Sequence, residues 1–394
     1  MISVEEALTR VLALAEPVEH QAVGLRQALG RVLAKPAVAR LTQPPYAASA
    51  MDGYAICEAD HQAGQMLEVI GEAAAGHGFA GQVGPGQAVR IFTGAPVPQG
   101  ADRVILQEDV SRDENQITLG RPLEHSSHIR PAGQDFHLGG SLAAPRRLRP
   151  ADLSLIAAMN IPEITAFRRP VVAIMATGDE LVMPGETPAP DQIVASNSFA
   201  VAAVAEAAGA EARILPIARD TETSLRLIFD LAKDADVIVT TGGASVGDHD
   251  LVGKVAGDLG MERAFWKIAM RPGKPLMAGR LGGAVLLGLP GNPVSAIVCA
   301  QLFLVPLLDH LQGLPGAHKF ETARLAQAVD ANGVRAHFMR ARLSRVEGQT
   351  FITPFDRQDS ALLSILSKAD ALLVRPIGDQ ARSVGDLVQY LPIS

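Results

Sequence analysis

Helical spacing of apolar residues occurs at three places in the first 170 residues. A capping box of Ser3 and Glu6 precedes apolar positions at helical spacing, which predicts a first helix to about Leu14. A second candidate helix runs from about Leu25 to Leu33, and the spacing returns between Arg149 and Met159. We expect these flanking helices to pack together, with the intervening segment inserted between them.

The intervening segment shows the pattern of a β domain. From Pro36 to about Pro145, short apolar runs alternate with glycines and prolines, and helical periodicity is weak. The runs are Met66–Ile70, Ala88–Phe92 and Arg103–Leu106. The sequence therefore predicts a β-rich domain over 39–145, inserted into a helical segment made of 1–38 and 146–169.

From Pro170 onward, fully apolar runs alternate with helical segments. Strands are predicted at Val171–Met175, Arg213–Ile217, Val237–Thr241 and Ala284–Leu289, and helices at about 198–208, 221–232 and 294–311. This alternation predicts an α/β domain over 170–316, with a mostly parallel sheet covered on both faces. Ligands of such sheets bind at the carboxyl ends of the strands, where several polar turns should meet.

A further change of pattern follows Gly316. Strands are predicted at Phe320–Val329, His337–Val346, Gln349–Pro354 and Ala371–Val374, with a hairpin turn at Glu347-Gly348 and a short helix around 361–366. This predicts a small β domain over 317–394.

Composition narrows the class of function. The 394 residues suffice for about two to three domains, and the net charge of −7 argues against a general nucleic-acid surface. Two cysteines, Cys57 and Cys299, give no disulfide framework or metal-ligand spacing, and Cys299 is expected to be a buried apolar residue. No targeting segment is recognisable, and no stretch is judged apolar enough to span a bilayer. We expect a soluble cytoplasmic protein without a membrane partner.

The segment Thr240–Asp250 carries the strongest chemical signal. Thr241, Gly242, Gly243 and Ser245 follow a buried strand, and paired glycines let backbone N–H groups approach an anion closely. Asp248 and Asp250 come next, as a divalent cation bridging to phosphate would require. An ordinary strand-to-helix turn with solvated acids is the competing interpretation.

Two further turns favour anions. In Gly288–Ser295 a strand ends in Pro290-Gly291-Asn292-Pro293, and a helix begins near Pro293. Lys267, Arg271 and Lys274 lie within eight residues around two prolines; a solvated basic loop explains them equally well. Acids at Glu180 and Asp220 would repel a bound anion, and Mg²⁺ would reconcile them with it.

The other residue types give little further evidence of a functional site. The histidines form no ligand constellation, and no serine lies in a nucleophile-elbow context. Segments Ser49–Ala55 and Arg90–Pro96 are, from their residues alone, more typical of ordinary turns.

Six motifs in one order nevertheless resemble the MoeA/gephyrin family of molybdopterin molybdenumtransferases over essentially the whole chain. They are SAMDGYA (49–55), RIFTGAPVP (90–98), ATGDEL (176–181), TTGGASVGDHD (240–250), PGKP (272–275) and GLPGNPVS (288–295). The resemblance implies a four-part subunit that ends in a C-terminal β-barrel. It also implies a homodimer, with each site between the α/β domain of one subunit and the inserted β domain of the other.

The resemblance further implies a reaction and its residues. Adenylylated molybdopterin and molybdate would react with Mg²⁺, releasing AMP and giving the molybdenum cofactor. By motif position, the cross-subunit residues would be Asp52, Thr93, Arg130 and Asp135; the catalytic and metal-binding acids Glu180, Asp220 and Asp250; and the remaining cofactor-binding residues Thr241, Gly242, Gly243, Ser245, Lys267, Arg271, Lys274, Pro290, Asn292 and Pro293. Arg271 stands where many relatives have lysine, and Ser360 is carried over from a C-terminal motif.

Two rival functions remain from the sequence. A molybdopterin adenylyltransferase uses a similar α/β domain, but the large N-terminal half favours the molybdenum-inserting enzyme. A non-catalytic gephyrin-like scaffold belongs to another class, and no linker or tail for it is visible. A molybdopterin adenylyltransferase and molybdoenzyme-maturation proteins are possible partners.

Overall fold

The N-terminal unit combines two helices with a small antiparallel sheet. The computed structural model describes residues 1–120, 125–242 and 251–393. The helices are Val4–Leu12 and Pro150–Ala158, and the sheet order is His20–Gly24, Glu163–Phe167, Val32–Leu33, Arg146–Arg147. The expectation that the two helices pack together was wrong, because the first buries its apolar face in the core of the α/β unit and the second lies in a separate cluster with the small sheet. The Ser3 side chain accepts the Glu6 N–H at 3.1 Å, so the predicted N-cap is confirmed.

The prediction of a second helix over Leu25–Leu33 was wrong. Only the 3₁₀ turn Leu25–Gln27 forms there, Gly30 takes φ +73°, and Val32–Leu33 is a strand paired with Arg146–Arg147. Pairing with a segment more than a hundred residues away therefore overrides the local helical spacing. The "helical" segment consequently contains a four-stranded sheet as well as its helices.

The middle of the chain is β-rich, as predicted. Its six-stranded sheet has the order Arg103–Leu106, Gly53–Ile56, Gln87–Ile91, Met66–Ala73, Gln116–Leu119, Val110–Asp113. Short ladders join Ala48–Ser49 to Ile129–Arg130 and Ala37–Val38 to Ser141–Leu142, and 3₁₀ turns occupy Glu58–Asp60 and Gln107–Asp109. The domain boundaries stay predictions.

The α/β unit has the predicted mostly parallel sheet. Glu211–Ile214, Val171–Ala176, Val237–Thr241 and Ala284–Leu289 are parallel, and Met277–Leu281 and Glu262–Trp266 extend the sheet antiparallel. Helices span Asn197–Ala207, Glu222–Leu231, Leu251–Asp258, Pro293–Cys299 and Val305–Leu311, and Leu181–Val182 pairs with Ile193–Val194. Val172 and Ile174 are buried in one apolar cluster and Ala173 and Met175 in another, so both sheet faces are covered.

One long helical run forms the core of this unit. Pro293–Leu311 has 19 residues and a mean hydropathy of 1.8, so, contrary to expectation, it is long and apolar enough to cross a bilayer. However, 72% of that window is buried inside the protein, as in a core helix. The π-helical turn Ala300–Leu304 precedes Pro306, which has no N–H for the Leu302 carbonyl; Nε2 of His318 lies 2.7 Å from that oxygen instead.

The C-terminal unit is a closed five-stranded barrel. Its order is Ala336–Val346, Gln349–Pro354, Glu321–Leu325, Leu387–Pro392, Ala371–Arg375, with the last strand paired to the first. Glu347 and Gly348 both have positive φ, which confirms the hairpin turn, and the short helix is Leu363–Leu366. In this unit, sequence reasoning missed the strand Leu387–Pro392 and the pairing of Met270–Arg271 with the barrel. In the α/β unit it missed the strands Glu262–Trp266 and Met277–Leu281 and the helix Leu251–Asp258.

Candidate active site

A cavity of about 600 Å³ opens at the carboxyl ends of the parallel strands. We refer to it as the rim cavity. The sequence-predicted residues that line it are Glu180, Asp220, Thr241, Gly242, Pro290, Asn292 and Pro293. Thr177, Gly178, Ser196, Asn197, Pro275 and Gly291 complete most of its wall. The turns thus meet where the rule for α/β sheets places a ligand.

Gly242 lies at a close backbone approach in this wall. Its φ is +97°, and a Cβ atom there would lie 2.7 Å from the Thr177 carbonyl oxygen. The Thr177 N–H donates to the Thr241 carbonyl at 3.2 Å, which holds the two turns together. The first glycine of the predicted anion turn is therefore required by geometry.

Two helices begin at the rim cavity. Ser196 and Asn197 mark the start of the helix Asn197–Ala207, and Asn292 and Pro293 mark the start of the long core helix. Neither first turn contains an acidic residue, and within the described ranges neither N-cap side chain bonds to its own helix. At the core helix, Pro293 has no N–H and the Val294 N–H donates to the Ser360 carbonyl. The dipoles of the two helices therefore favour a ligand with negative charge at this place.

Ser196 and Asn197 were missed as site residues by sequence reasoning. The helix itself was predicted, and the polar triplet Ser196-Asn197-Ser198 at its start is typical of a helix N-terminus. Combining that signal with the rule that strand ends gather at one edge would have brought both residues to the cavity. Their neighbour across the wall is Gly291, whose carbonyl accepts from Asn197 Nδ2 at 2.8 Å.

The acidic side of the rim cavity consists of Glu180 and Asp220, with Asp179 beside them. The Asp220 N–H donates to Asp179 Oδ1 at 3.1 Å. Burial raises the pKa of the Asp220 carboxyl, and the negative charges of Asp179 and Glu180 raise it further. The group therefore combines negative charges whose mutual repulsion a bound cation would relieve.

These carboxylates fit Mg²⁺. In the described part of the chain, no three acidic, histidine or cysteine side chains are arranged as a complete ligand set. Mg²⁺ needs no such set, because it is usually held by one or two carboxylates and completes its shell with water and substrate phosphate. Glu180 and Asp220 supply two oxygen donors of the right kind beside the helix N-termini.

Several residues of the segment Thr240–Asp250 fall outside the described ranges. They are Gly243, Ser245, Asp248 and Asp250, together with His249. Their predicted roles, above all the metal-binding role of Asp250, therefore stay predictions.

The three predicted cations do not line the rim cavity. Lys267 Nζ lies 4.9 Å from the centre of the Trp266 ring, and Lys274 is exposed. Arg271 belongs to the strand paired with the barrel; its guanidinium donates to Asn332 Oδ1 at 3.4 Å and faces a separate cavity of about 350 Å³. The structure therefore brings only the neighbouring Pro275 to the rim cavity.

The four cross-subunit candidates lie together in the β-rich unit. Asp52 Oδ1 accepts from the Thr93 N–H at 2.7 Å and from its hydroxyl at 2.8 Å. Arg130 and Asp135 line a second cavity of about 540 Å³ that also includes Gly94, the residue after Thr93. None of the four lines the rim cavity of its own chain.

Ser360 contacts the rim cavity from the barrel. Its hydroxyl accepts from Asn292 Nδ2 at 3.0 Å, and its carbonyl accepts from the Val294 N–H at 3.1 Å. The residue carried over from the C-terminal motif therefore touches the start of the core helix.

Comparison with known proteins accounts for almost the whole chain. Residues 2–160 match the family model of the MoeA N-terminal region (domain I and II), 173–310 that of a probable molybdopterin binding domain, and 322–393 that of the MoeA C-terminal region (domain IV). A molybdopterin molybdenumtransferase of a Nostoc species is 35% identical, covering 95% of this chain and 89% of the relative. The chain belongs to the MoeA family.

Other MoeA proteins agree in length and fold. A molybdopterin molybdenumtransferase of Haemophilus influenzae is 33% identical over 100% of this chain and 99% of its own. Two solved structures of the molybdopterin biosynthesis MoeA protein from Pyrococcus horikoshii match with TM-scores of 0.81 and 0.85, at 30% and 26% identity. Both alignments include 100% of this chain, and they include 99% and 100% of the two Pyrococcus chains. These matches confirm the predicted family and multidomain fold.

Proposed function

We propose that this chain is a molybdopterin molybdenumtransferase, which inserts molybdenum from molybdate into adenylylated molybdopterin with Mg²⁺-dependent release of AMP. The names of relatives that are 33–35% identical over nearly the whole chain support molybdopterin as the substrate class. The observation that carries the finer proposal is the rim cavity, in which two helix N-termini lie beside the carboxylates of Glu180 and Asp220.

The two sides of the rim cavity suit the two parts of the reaction. Backbone N–H groups at the helix start by Asn197 would bind phosphate oxygens. Glu180 and Asp220 would hold Mg²⁺, which when bound would stabilise the negative charge that builds on the leaving phosphate. Two oxygens of molybdate must leave as water, which requires protons. The carboxylates at the rim would relay them.

A homodimer would complete the site. Asp52, Thr93, Arg130 and Asp135 lie outside the rim cavity of their own chain, and in a dimer they would face the rim cavity of the other subunit. Mixing an Asp52→Ala chain with an Asp220→Ala chain tests this arrangement. Activity recovered in the mixed dimer supports a shared site, and a mixture as inactive as its parents refutes it. We also propose a cytoplasmic location, with a molybdopterin adenylyltransferase and molybdoenzyme-maturation proteins as partners.

The decisive experiment supplies adenylylated molybdopterin, molybdate and Mg²⁺ to the purified protein. We expect AMP release that requires both molybdate and Mg²⁺. With molybdopterin, ATP and Mg²⁺ instead, accumulation of adenylylated product would identify the rival adenylyltransferase. A folded protein that turns over neither mixture would favour the scaffold.

A further inference from the structure

One loop of the barrel, residues 355–360, connects the C-terminal unit to the rim cavity. Its last residue, Ser360, accepts the Val294 N–H at 3.1 Å and the Asn292 side-chain N–H at 3.0 Å. Asn292 lines the rim cavity, and Val294 is in the first turn of the core helix. The position of this helix start therefore depends on the position of the loop.

The loop is built around a buried arginine. Arg340 is 2% exposed and lies on the barrel strand Ala336–Val346. Its guanidinium donates to the carbonyl of Asp359 at 2.7 Å and to that of Arg357 at 3.4 Å. Its own carbonyl accepts the Phe355 N–H at 3.0 Å. Arg340 thus holds both ends of the loop.

Gln358 completes this arrangement from inside the loop. Its Oε1 accepts from N, Nε and a terminal nitrogen of Arg340 at 3.0, 3.2 and 3.1 Å. Its Nε2 donates to the carbonyls of Arg340 and Phe355 at 3.0 and 2.7 Å. Across the described residues, no carboxylate forms an ion pair with Arg340, so the amide oxygen of Gln358 is a principal acceptor for this buried cation.

We propose that Gln358 is a positioning residue for the rim cavity, because it fixes the loop from which Ser360 holds the start of the core helix. The inference rests on the proposed function for its effect on catalysis, but its structural part stands independently. Without the amide, Arg340 would have unsatisfied donors and would turn towards water. The loop would then loosen, and the N–H of Val294 would lose its acceptor.

The test compares Gln358→Ala, Gln358→Glu and the wild type. We expect Gln358→Ala to speed amide hydrogen exchange in residues 293–297 as well as in 356–361. It should also raise the KM for adenylylated molybdopterin roughly tenfold, with a smaller change in kcat. Gln358→Glu keeps an acceptor oxygen for Arg340 but loses both N–H donors to the carbonyls of Arg340 and Phe355. It should therefore speed exchange in the same two segments and raise the KM, each by less than Gln358→Ala does. The matched control is Gln349→Ala on the same barrel, where the exposed side chain accepts from Arg324 Nε at 3.1 Å.

Faster exchange confined to 356–361 in Gln358→Ala, with 293–297 as protected as in the wild type, would overturn the proposal. A KM unchanged in an otherwise active enzyme would do the same. If the wild type releases no AMP, the proposed function fails, but exchange at 293–297 still decides whether Gln358 positions the helix. Gln358→Glu supplies that measurement if the alanine variant does not fold.

Discussion

Thr93 donates two hydrogen bonds to a single carboxylate oxygen of Asp52, one from its backbone N–H at 2.7 Å and one from its hydroxyl at 2.8 Å. Both bonds hold the pKa of Asp52 below its ordinary value, and the backbone bond has the larger effect. The positive charge of Arg90 lowers the pKa further. Thr93 and Asp52 belong to two different motifs of the sequence, and this contact holds the two motifs together.

Thr93→Val should move the pKa of Asp52 part of the way back to its ordinary value. The hydroxyl bond is lost, but the stronger backbone bond stays. Because the pKa is lowered in the fold, the stabilisation from ionised Asp52 is present above the ordinary Asp pKa and is lost as pH falls through the lower value. NMR titration of the Asp52 carboxyl measures the shift, and Thr93→Ser is the control that keeps the hydroxyl. An identical Asp52 titration in Thr93→Val would show that the hydroxyl contributes nothing.

The rim cavity could be predicted from sequence because it follows a general rule. Parallel strands end at one edge of a sheet, so Glu180, Asp220, Gly242 and Pro290 had to come together once the strands were recognised. Local turn chemistry also sufficed for the hairpin at Glu347-Gly348.

Other features depended on contacts that local sequence does not contain. The sequence shows the charges at Lys267 and Arg271. It does not show that Met270–Arg271 pairs with Ala336–His337, which turns Arg271 towards the barrel. The apolar spacing at 25–33 is compatible with a helix. In the structure, however, Val32–Leu33 pairs as a strand with Arg146–Arg147, which follows the inserted unit in the chain. In both places long-range pairing decided the structure.

Asp220→Asn should stabilise the fold at neutral pH and abolish Mg²⁺-dependent AMP release. The pKa of Asp220 is raised by burial and by Asp179 and Glu180, so its ionisation opposes folding. The gain over wild type should be largest above the raised pKa and shrink as pH falls towards the ordinary Asp value of 3.8. Thermal unfolding across pH measures it, with the exposed Asp191→Asn as control. A gain independent of pH would contradict this account.

Gly242→Ala should destabilise the α/β unit by about 3 kcal/mol, because it combines an unfavourable φ with a clash against the Thr177 carbonyl. Gly260→Ala is the matched control: its φ is +90°, but a Cβ there has no atom within 4 Å, so about 1 kcal/mol is expected. Urea unfolding followed by the fluorescence of Trp266, the single tryptophan, reports on this sheet. Equal losses in the two variants would show that the close approach at Gly242 relaxes freely.

Thr177→Val should weaken ligand binding without destabilising the protein. The hydroxyls of Thr177 and Thr240 are both buried, and neither has a hydrogen-bond partner among the residues that the structure describes. Replacing such a hydroxyl by a methyl group removes an unsatisfied polar atom, so both valine variants should be as stable as the wild type or slightly more stable. Thr177 lines the rim cavity and Thr240 does not, so only Thr177→Val should lower the affinity for AMP measured by calorimetry.

Equal affinities in the two variants would place the Thr177 hydroxyl outside the binding surface. Lower stability in Thr177→Val alone would mean instead that this hydroxyl supports the fold of the wall rather than the ligand.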